Sequence, residues 1–237
     1  MVNLFRRSRE ESQDQGKISL ISFTDSHSAN AEQFRSLRTN IEFVQFERQL
    51  KSLLVSSSIP SEGKSTVAAN LAIVLAQTEK RVLLVDADLR KPTLHRTFKS
   101  GNEVGLTSLL MDPSMDVEEA IQYRKEVNLS ILMSGKQPPN PSELLSSERM
   151  TSVMDTLKER FDLVIYDAPP LRRVSDAQIL AAKVDGVIFV SRYEYTRKEE
   201  IRDSIERLKN VKANIVGYVM NRIPRSKDSR YDSYYSE

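Results

Sequence analysis

Apolar residues in this chain fall into short, nearly unbroken runs, and between the runs they recur at three- and four-residue spacing. Runs of that length lacking polar alternation are the signature of strands covered on both faces. They fall at Leu53 to Ser57, Arg81 to Asp88, Leu129 to Met133, Phe161 to Asp167, Gly186 to Val190 and Ala213 to Met220. The intervening spacing predicts helices. One is capped by Ser28 or Asn30 and carries Phe34, Leu37, Ile41 and Phe43 as far as Gln49. Others cover Val67 to Gln77, Leu106 to Leu110, Val117 to Ile121, Met150 to Arg160, Asp176 to Lys183 and Arg197 to Lys209, with a further helix starting at Ser142-Glu143-Leu144-Leu145. Strands that alternate with helices predict an α/β domain: a doubly wound, mostly parallel sheet flanked by helices. The patterned region runs from 27 to 222. Residues 1–26 read as a polar, irregular arm, and residues 223–237 as a tail too poor in apolar groups to fold.

Composition narrows the class. The chain of 237 residues is long enough to bury one sizeable core. It contains no Cys, which excludes disulfides, thiolate metal sites and a cysteine nucleophile. No apolar run reaches the roughly 18 residues that a membrane span needs, so the expectation is a cytoplasmic protein. Its 35 basic and 33 acidic side chains are interspersed and leave a net charge of +2, which argues against bulk nucleic-acid binding. Arg6, Arg7 and Arg9 beside Phe5 suit either a membrane-surface or partner contact, or a solvated arm.

Candidate chemistry sits at the ends of the strands. Ser57-Ser58-Ile59-Pro60-Ser61-Glu62-Gly63-Lys64-Ser65-Thr66 follows a strand and opens a helix, the setting of a phosphate-cradling loop. Backbone N–H groups at such a helix start face phosphate, Lys64 reaches the β and γ oxygens, and the Ser65 hydroxyl ligates Mg²⁺. The ligand expected is a nucleoside triphosphate. The match departs at Ser58, where the loop pattern has its first Gly. Two more predicted strands end in carboxylates, at Asp86 with Asp88 and at Asp167. In a parallel sheet these converge on the edge that carries the loop.

The chain resembles the bacterial tyrosine kinases of capsule and exopolysaccharide synthesis, in the form whose cytosolic kinase is separate from a membrane-embedded activator. The resemblance rests on Pro60-Ser61-Glu62-Gly63-Lys64-Ser65-Thr66, on Val85-Asp86-Ala87-Asp88-Leu89-Arg90-Lys91-Pro92 and on Asp167-Ala168-Pro169-Pro170. Glu32-x-x-Arg35-x-x-Arg38-Thr39-Asn40 and Pro138-Pro139-Asn140-Pro141-x-Glu143-Leu144-Leu145 are more specific to it. Ser61 stands where that family usually has Gly, and Arg172-Arg173 where it has small or apolar residues; the arginines suit added phosphate contacts or a solvated pair.

The resemblance implies the nucleotide fold shared with partitioning and positioning ATPases, and ATP- and Mg²⁺-dependent phosphorylation of tyrosine. Ser61 to Thr66 would bind ATP. Ser65, Asp88 and Asp167 would hold the metal, directly or through water. Asp86 would accept the tyrosine proton, with Asp88 the alternative base. Asn221 resembles an adenine-contacting Asn, although a strand-ending turn is an equal reading. Three of the eight tyrosines, Tyr231, Tyr234 and Tyr235, lie in the last seven residues and are the implied phosphoacceptors. A flexible tail of about 15 residues has an r.m.s. span on the order of 20 Å, enough to cross a subunit boundary.

The family also implies a ring-like homo-oligomer built through Glu32, Arg35 and Arg38, and a membrane adaptor that recruits the kinase to the inner face of the cell membrane. Protein substrates phosphorylated on tyrosine are the remaining partners. Two competing readings are a partitioning-type ATPase switch and a nucleotide-binding scaffold. The first typically carries an additional Lys early in the phosphate loop, and Ser57 to Ser61 contains none; the second draws on the atypical Ser61.

Overall fold

A computed structural model describes residues 18–224. In chain order the elements are α1 (Ile21–Thr24), α2 (Ala29–Arg48), β1 (Ser52–Ser57), α3 (Lys64–Ala76), β2 (Val82–Asp86), α4 (Leu94–Thr97), α5 (Leu106–Met111) and α6 (Val117–Ala120). They continue with β3 (Ile121–Arg124), β4 (Leu129–Leu132), α7 (Pro141–Ser146), α8 (Glu148–Arg160), β5 (Leu163–Asp167), α9 (Asp176–Ala181), β6 (Gly186–Arg192), α10 (Lys198–Asn210) and β7 (Ile215–Asn221). Seven strands form one sheet in the order β3-β4-β2-β5-β1-β6-β7. Every pairing is parallel except that of β3 with β4.

Strand residues divide between two cores because successive side chains point to opposite faces. Leu53, Val55, Leu84, Ile131, Ile165 and Ile188 pack under α3, whose residues from Val67 to Ala76 are all buried, and against Ile41 of α2. Leu54, Leu83, Val85, Val164, Tyr166 and Phe189 form the other core with Leu109, Met150, Leu157, Leu180 and Leu208 of α5, α8, α9 and α10. The strands are apolar throughout for this reason: neither face of the sheet interior meets water.

The expected architecture is present, with local corrections. Residues 18 to 26 do not belong to an irregular arm. Ile18 is buried, the Ile18 amide donates to Thr97 Oγ1 (3.1 Å), and α1 lies against α3. Asn70 of α3 accepts from the Ser22 amide (2.8 Å) and donates to the Ser19 carbonyl (2.7 Å), so one buried amide holds this segment. Strand β2 stops at Asp86 rather than Asp88; the Ala87 amide donates the last bond to β5, to the Asp167 carbonyl at 2.9 Å. Helix α3 begins at Lys64, three residues before the apolar repeat that announced it. Two short elements lack a sequence signal long enough to read: α4 is four residues, and β3 is a four-residue, half-exposed edge strand following α6.

Candidate active site

Strand β1 delivers the chain into the loop 58–63, which turns sharply into α3. Ser61 takes φ +68° and Gly63 φ +94°, both left-handed. At Gly63 a side chain is impossible on a second ground: a Cβ there would collide with the Asn221 amide. At Ser61 the chain accepts a conformation that costs an L-residue roughly 1 kcal/mol and glycine nothing. This is the position where the resembled family has Gly.

The loop is tied down on both flanks. The Asn221 amide donates to the Glu62 carbonyl (3.0 Å), and Ser58 Oγ donates to the Glu200 carbonyl (3.2 Å). The amides of Leu171 and Arg172 donate to the carbonyls of Ser57 (2.8 Å) and Ser58 (3.2 Å), which stitches the loop after β5 to the end of β1. Arg172 itself forms ion pairs with Glu200 and Asp203 at 2.9 Å each; a phosphate contact for it is therefore replaced by a tie to α10. The Asn221 side chain braces the loop in this structure.

Parallel pairing sets Asp86 directly opposite Asp167, at the carboxyl ends of the adjacent strands β2 and β5. Lys64 from the first turn of α3 reaches between the acids: its Nζ lies 3.2 Å from Asp167 Oδ1, 3.4 Å from Asp88 Oδ2 and 3.1 Å from Ser65 Oγ. The structure thus brings together Lys64, Ser65, Asp86, Asp88 and Asp167 from three separate segments. Burial alone would depress the Lys64 pKa, but Asp167, Asp88 and Asp86 outweigh it and raise it, so the ammonium stays charged.

The carboxylates respond differently. Asp86 is fully buried, and burial followed by repulsion from Asp167 lifts its pKa from 3.8 to about 7. Its Oδ2 accepts from the amides of Thr93 (3.1 Å) and Leu94 (3.0 Å), so this carboxylate also fixes the start of α4. Burial likewise raises Asp167, against the opposing pull of Lys64. Asp88 accepts from the Lys91 amide at 3.0 Å.

Two buried oxygens, Asp86 Oδ1 and Asp167 Oδ2, have no hydrogen-bond partner. Uncompensated oxygens of this kind call for a proton or a cation. Among the described residues no three acidic or histidine side chains form a closed metal cage. That donor set suits Mg²⁺, which binds through one or two carboxylates, a hydroxyl, water and substrate phosphates. Asp167 and the neighbouring Ser65 hydroxyl fit it.

Two side-chain clusters escaped the sequence. Arg90 grips Asp176 with two nitrogens (2.8 and 3.1 Å), while Ser142 Oγ donates to Asp176 Oδ1 at 2.7 Å. This links the loop after Asp88 to the starts of α7 and α9. An arginine two residues beyond a pair of site acids was the available signal. Thr196, which faces Glu62, carried none. The implied interface residues are also distributed: Glu32 and Arg35 pair at 2.5 Å on the surface of α2, but Arg38 donates to the Val74 carbonyl at 3.2 Å and so helps dock α2 on α3. The implied phosphoacceptors Tyr231, Tyr234 and Tyr235 lie outside the described residues.

Comparison with known proteins identifies the family. A family described as an AAA domain matches residues 61–219. The tyrosine-protein kinase YwqD of Bacillus subtilis is 47% identical over 215 residues, which cover 91% of this chain and 90% of that protein. The tyrosine-protein kinase ptk of Acinetobacter johnsonii is 35% identical over 209 residues, 88% of this chain but 28% of that protein. The solved kinase domain of the Escherichia coli tyrosine kinase ETK superposes with a TM-score of 0.84 at 32% identity, covering 91% of this chain and 84% of that one. With a tyrosine-protein kinase as a near full-length relative and a matching solved kinase domain, the chain belongs to the bacterial protein-tyrosine kinases.

Proposed function

We propose that the chain transfers the γ-phosphoryl group of ATP to tyrosines of its own C-terminal cluster, from one subunit to another, and that this controls capsule or exopolysaccharide synthesis. The observation that carries the chemistry is Asp86: a buried carboxylate with one unpaired oxygen, held near neutral pKa, beside a lysine that has left the loop for the acids. A base poised near the working pH is the efficient one.

Each residue has a task. The loop amides hold the phosphates, and Lys64 exchanges Asp167 and Asp88 for phosphate oxygens and offsets the charge that grows there. Asp86 Oδ1 accepts the tyrosine proton as the phenolic oxygen bonds to phosphorus; the bond from phosphorus to the bridging oxygen breaks, and ADP departs with that electron pair. Bound at Ser65 and Asp167, Mg²⁺ would supply neutralisation of the phosphate charge. The acceptors are Tyr231, Tyr234 and Tyr235, which follow in the chain about ten residues after Asn221, the residue that braces the phosphate loop.

A membrane adaptor and a ring-shaped homo-oligomer complete the reading. Relatives of two lengths support the adaptor: the chain spans nearly all of one and about a quarter of another. Among the described residues no helix is long and apolar enough to cross a membrane, and the adaptor would recruit the kinase to the inner membrane face.

One mixing experiment tests the core of the proposal. A Lys64→Met protein with an intact tail is combined with a chain carrying Tyr231→Phe, Tyr234→Phe and Tyr235→Phe, together with ATP, Mg²⁺ and the adaptor's cytosolic segment. Phosphotyrosine on the Lys64→Met chain is the expected result. Label absent there while wild type labels strongly overturns transfer between subunits. ATP hydrolysis without any phosphotyrosine overturns kinase activity itself and favours an ATPase switch.

A further inference from the structure

We propose that Thr196 is a positioning residue of the nucleotide site: its hydroxyl restrains the Glu62 carboxylate and thereby the shape of the phosphate loop. The inference rests on the reading that this loop binds ATP.

Glu62 is an odd occupant. It is fully buried in the middle of a loop built to receive a polyanion, and burial raises its pKa against the opposing hydrogen bonds from Thr196 and Ile59. An unrestrained carboxylate here would bond the same backbone N–H groups that phosphate needs. Its two oxygens are instead committed, one to a single amide at the start of the loop and the other to a group outside the loop. Oε2 accepts from the Ile59 amide at 2.6 Å, which closes the loop on itself, and Oε1 faces the Thr196 hydroxyl.

The direction of that second bond follows from the neighbours of Thr196. The Arg192 amide already donates to Thr196 Oγ1 at 2.9 Å, so the hydroxyl proton is free to point at Glu62. The Thr196 amide is fixed by the Arg192 carbonyl at 3.0 Å. The turn between β6 and α10 is therefore a rigid mount for one donor. With Asn221 on the Glu62 carbonyl, residue 62 is held at both its backbone and its side chain. These restraints act immediately beside Ser61, which has the left-handed conformation without glycine's freedom. Preorganisation of this kind appears as ligand affinity, because the ordering is complete before the ligand arrives.

The test measures ATP affinity by calorimetry in the presence of Mg²⁺, alongside steady-state kinetics. Thr196→Val should weaken ATP binding about tenfold, the size of one coupled contact, and raise the KM for ATP in step, while kcat at saturating ATP falls far less. Thr196→Ser, which restores the donor, should bind within about twofold of wild type. Glu62→Ala should also weaken binding, and Thr196→Val added to it should cost nothing further. Wild-type affinity in Thr196→Val overturns the proposal, as does failure of Thr196→Ser to rescue. Losses that multiply in the double variant, to about a hundredfold, overturn it too. No ATP binding by wild type overturns the nucleotide reading on which it stands, a distinct result.

Discussion

Asp86 shows how one side chain ties chemistry to stability. Its folded pKa, about 7, lies above the ordinary 3.8, so the native state holds a proton that the unfolded chain releases across that interval. The contribution of this group to the stability of the free protein falls as pH rises from about 4 towards 7. Asp86→Asn keeps an acceptor for the Thr93 and Leu94 amides and removes the titration. Its melting temperature should exceed that of wild type at pH 8, with the difference vanishing near pH 4, while kcat collapses and ATP affinity changes little. Equal melting curves at pH 8 would show that the buried charge is compensated in the free protein. A second buried group gives a cleaner energetic test. Tyr166 is fully buried and its hydroxyl has no partner, and burial also raises its pKa. Tyr166→Phe removes an unpaid desolvation and should stabilise the protein by about 1 kcal/mol, read as a rise of roughly 2–4 °C in melting temperature.

At the scale of elements, α3 is the hub. Its first turn supplies Lys64 and Ser65, its apolar length fills one core, and Asn70 on it anchors the segment preceding α2. Asn70 donates a further bond to the Thr66 carbonyl at 2.9 Å, so the same amide spans the helix and the docked segment. Asn70→Ala leaves the Ser22 amide and the Ser19 carbonyl without their partner. A loss of about 2–3 kcal/mol is expected in urea denaturation, together with new proteolytic cleavage between residues 18 and 28. An unchanged cleavage pattern would mean that Ile18 and α1 hold the segment without Asn70.

At the scale of the whole molecule, the ring interface proposed on α2 can be tested separately from folding. Glu32 and Arg35 pair with each other in the open, and such pairs contribute little to the stability of a monomer, on the order of 0–1 kcal/mol. Arg38, with its bond to Val74, is partly a folding residue. The double variant Glu32→Ala, Arg35→Ala should therefore lower the mass measured by light scattering while leaving the melting temperature almost unchanged. Arg38→Ala should lower both. A double variant that keeps the wild-type mass would remove α2 from the interface.

Local rules in the sequence were sufficient for six of the seven strands and for choosing the residues of the candidate site. Unbroken apolar runs marked strands covered on both faces, and a strand, a glycine-lysine turn and a helix identified the phosphate loop with no partner in view. Acids at strand ends could be assigned to one edge because parallel strands share a direction. Tertiary structure alone decided what those groups contact. The pairing of Asp86 with Asp167 depends on β2 and β5 being neighbours in space, about 80 residues apart in the chain. Burial of Ile18 and Ser22 required polar partners on α4 and α3, which no periodicity in a nine-residue segment could announce. Four-residue elements such as α4 and β3 are too short to carry a period, and form because Asp86 caps one and β4 pairs the other. Thr196 was invisible for the same reason, and Arg90 showed only its place beside the site acids: their roles are hydrogen bonds to distant residues, and a hydroxyl or a guanidinium has no role until its partner is placed.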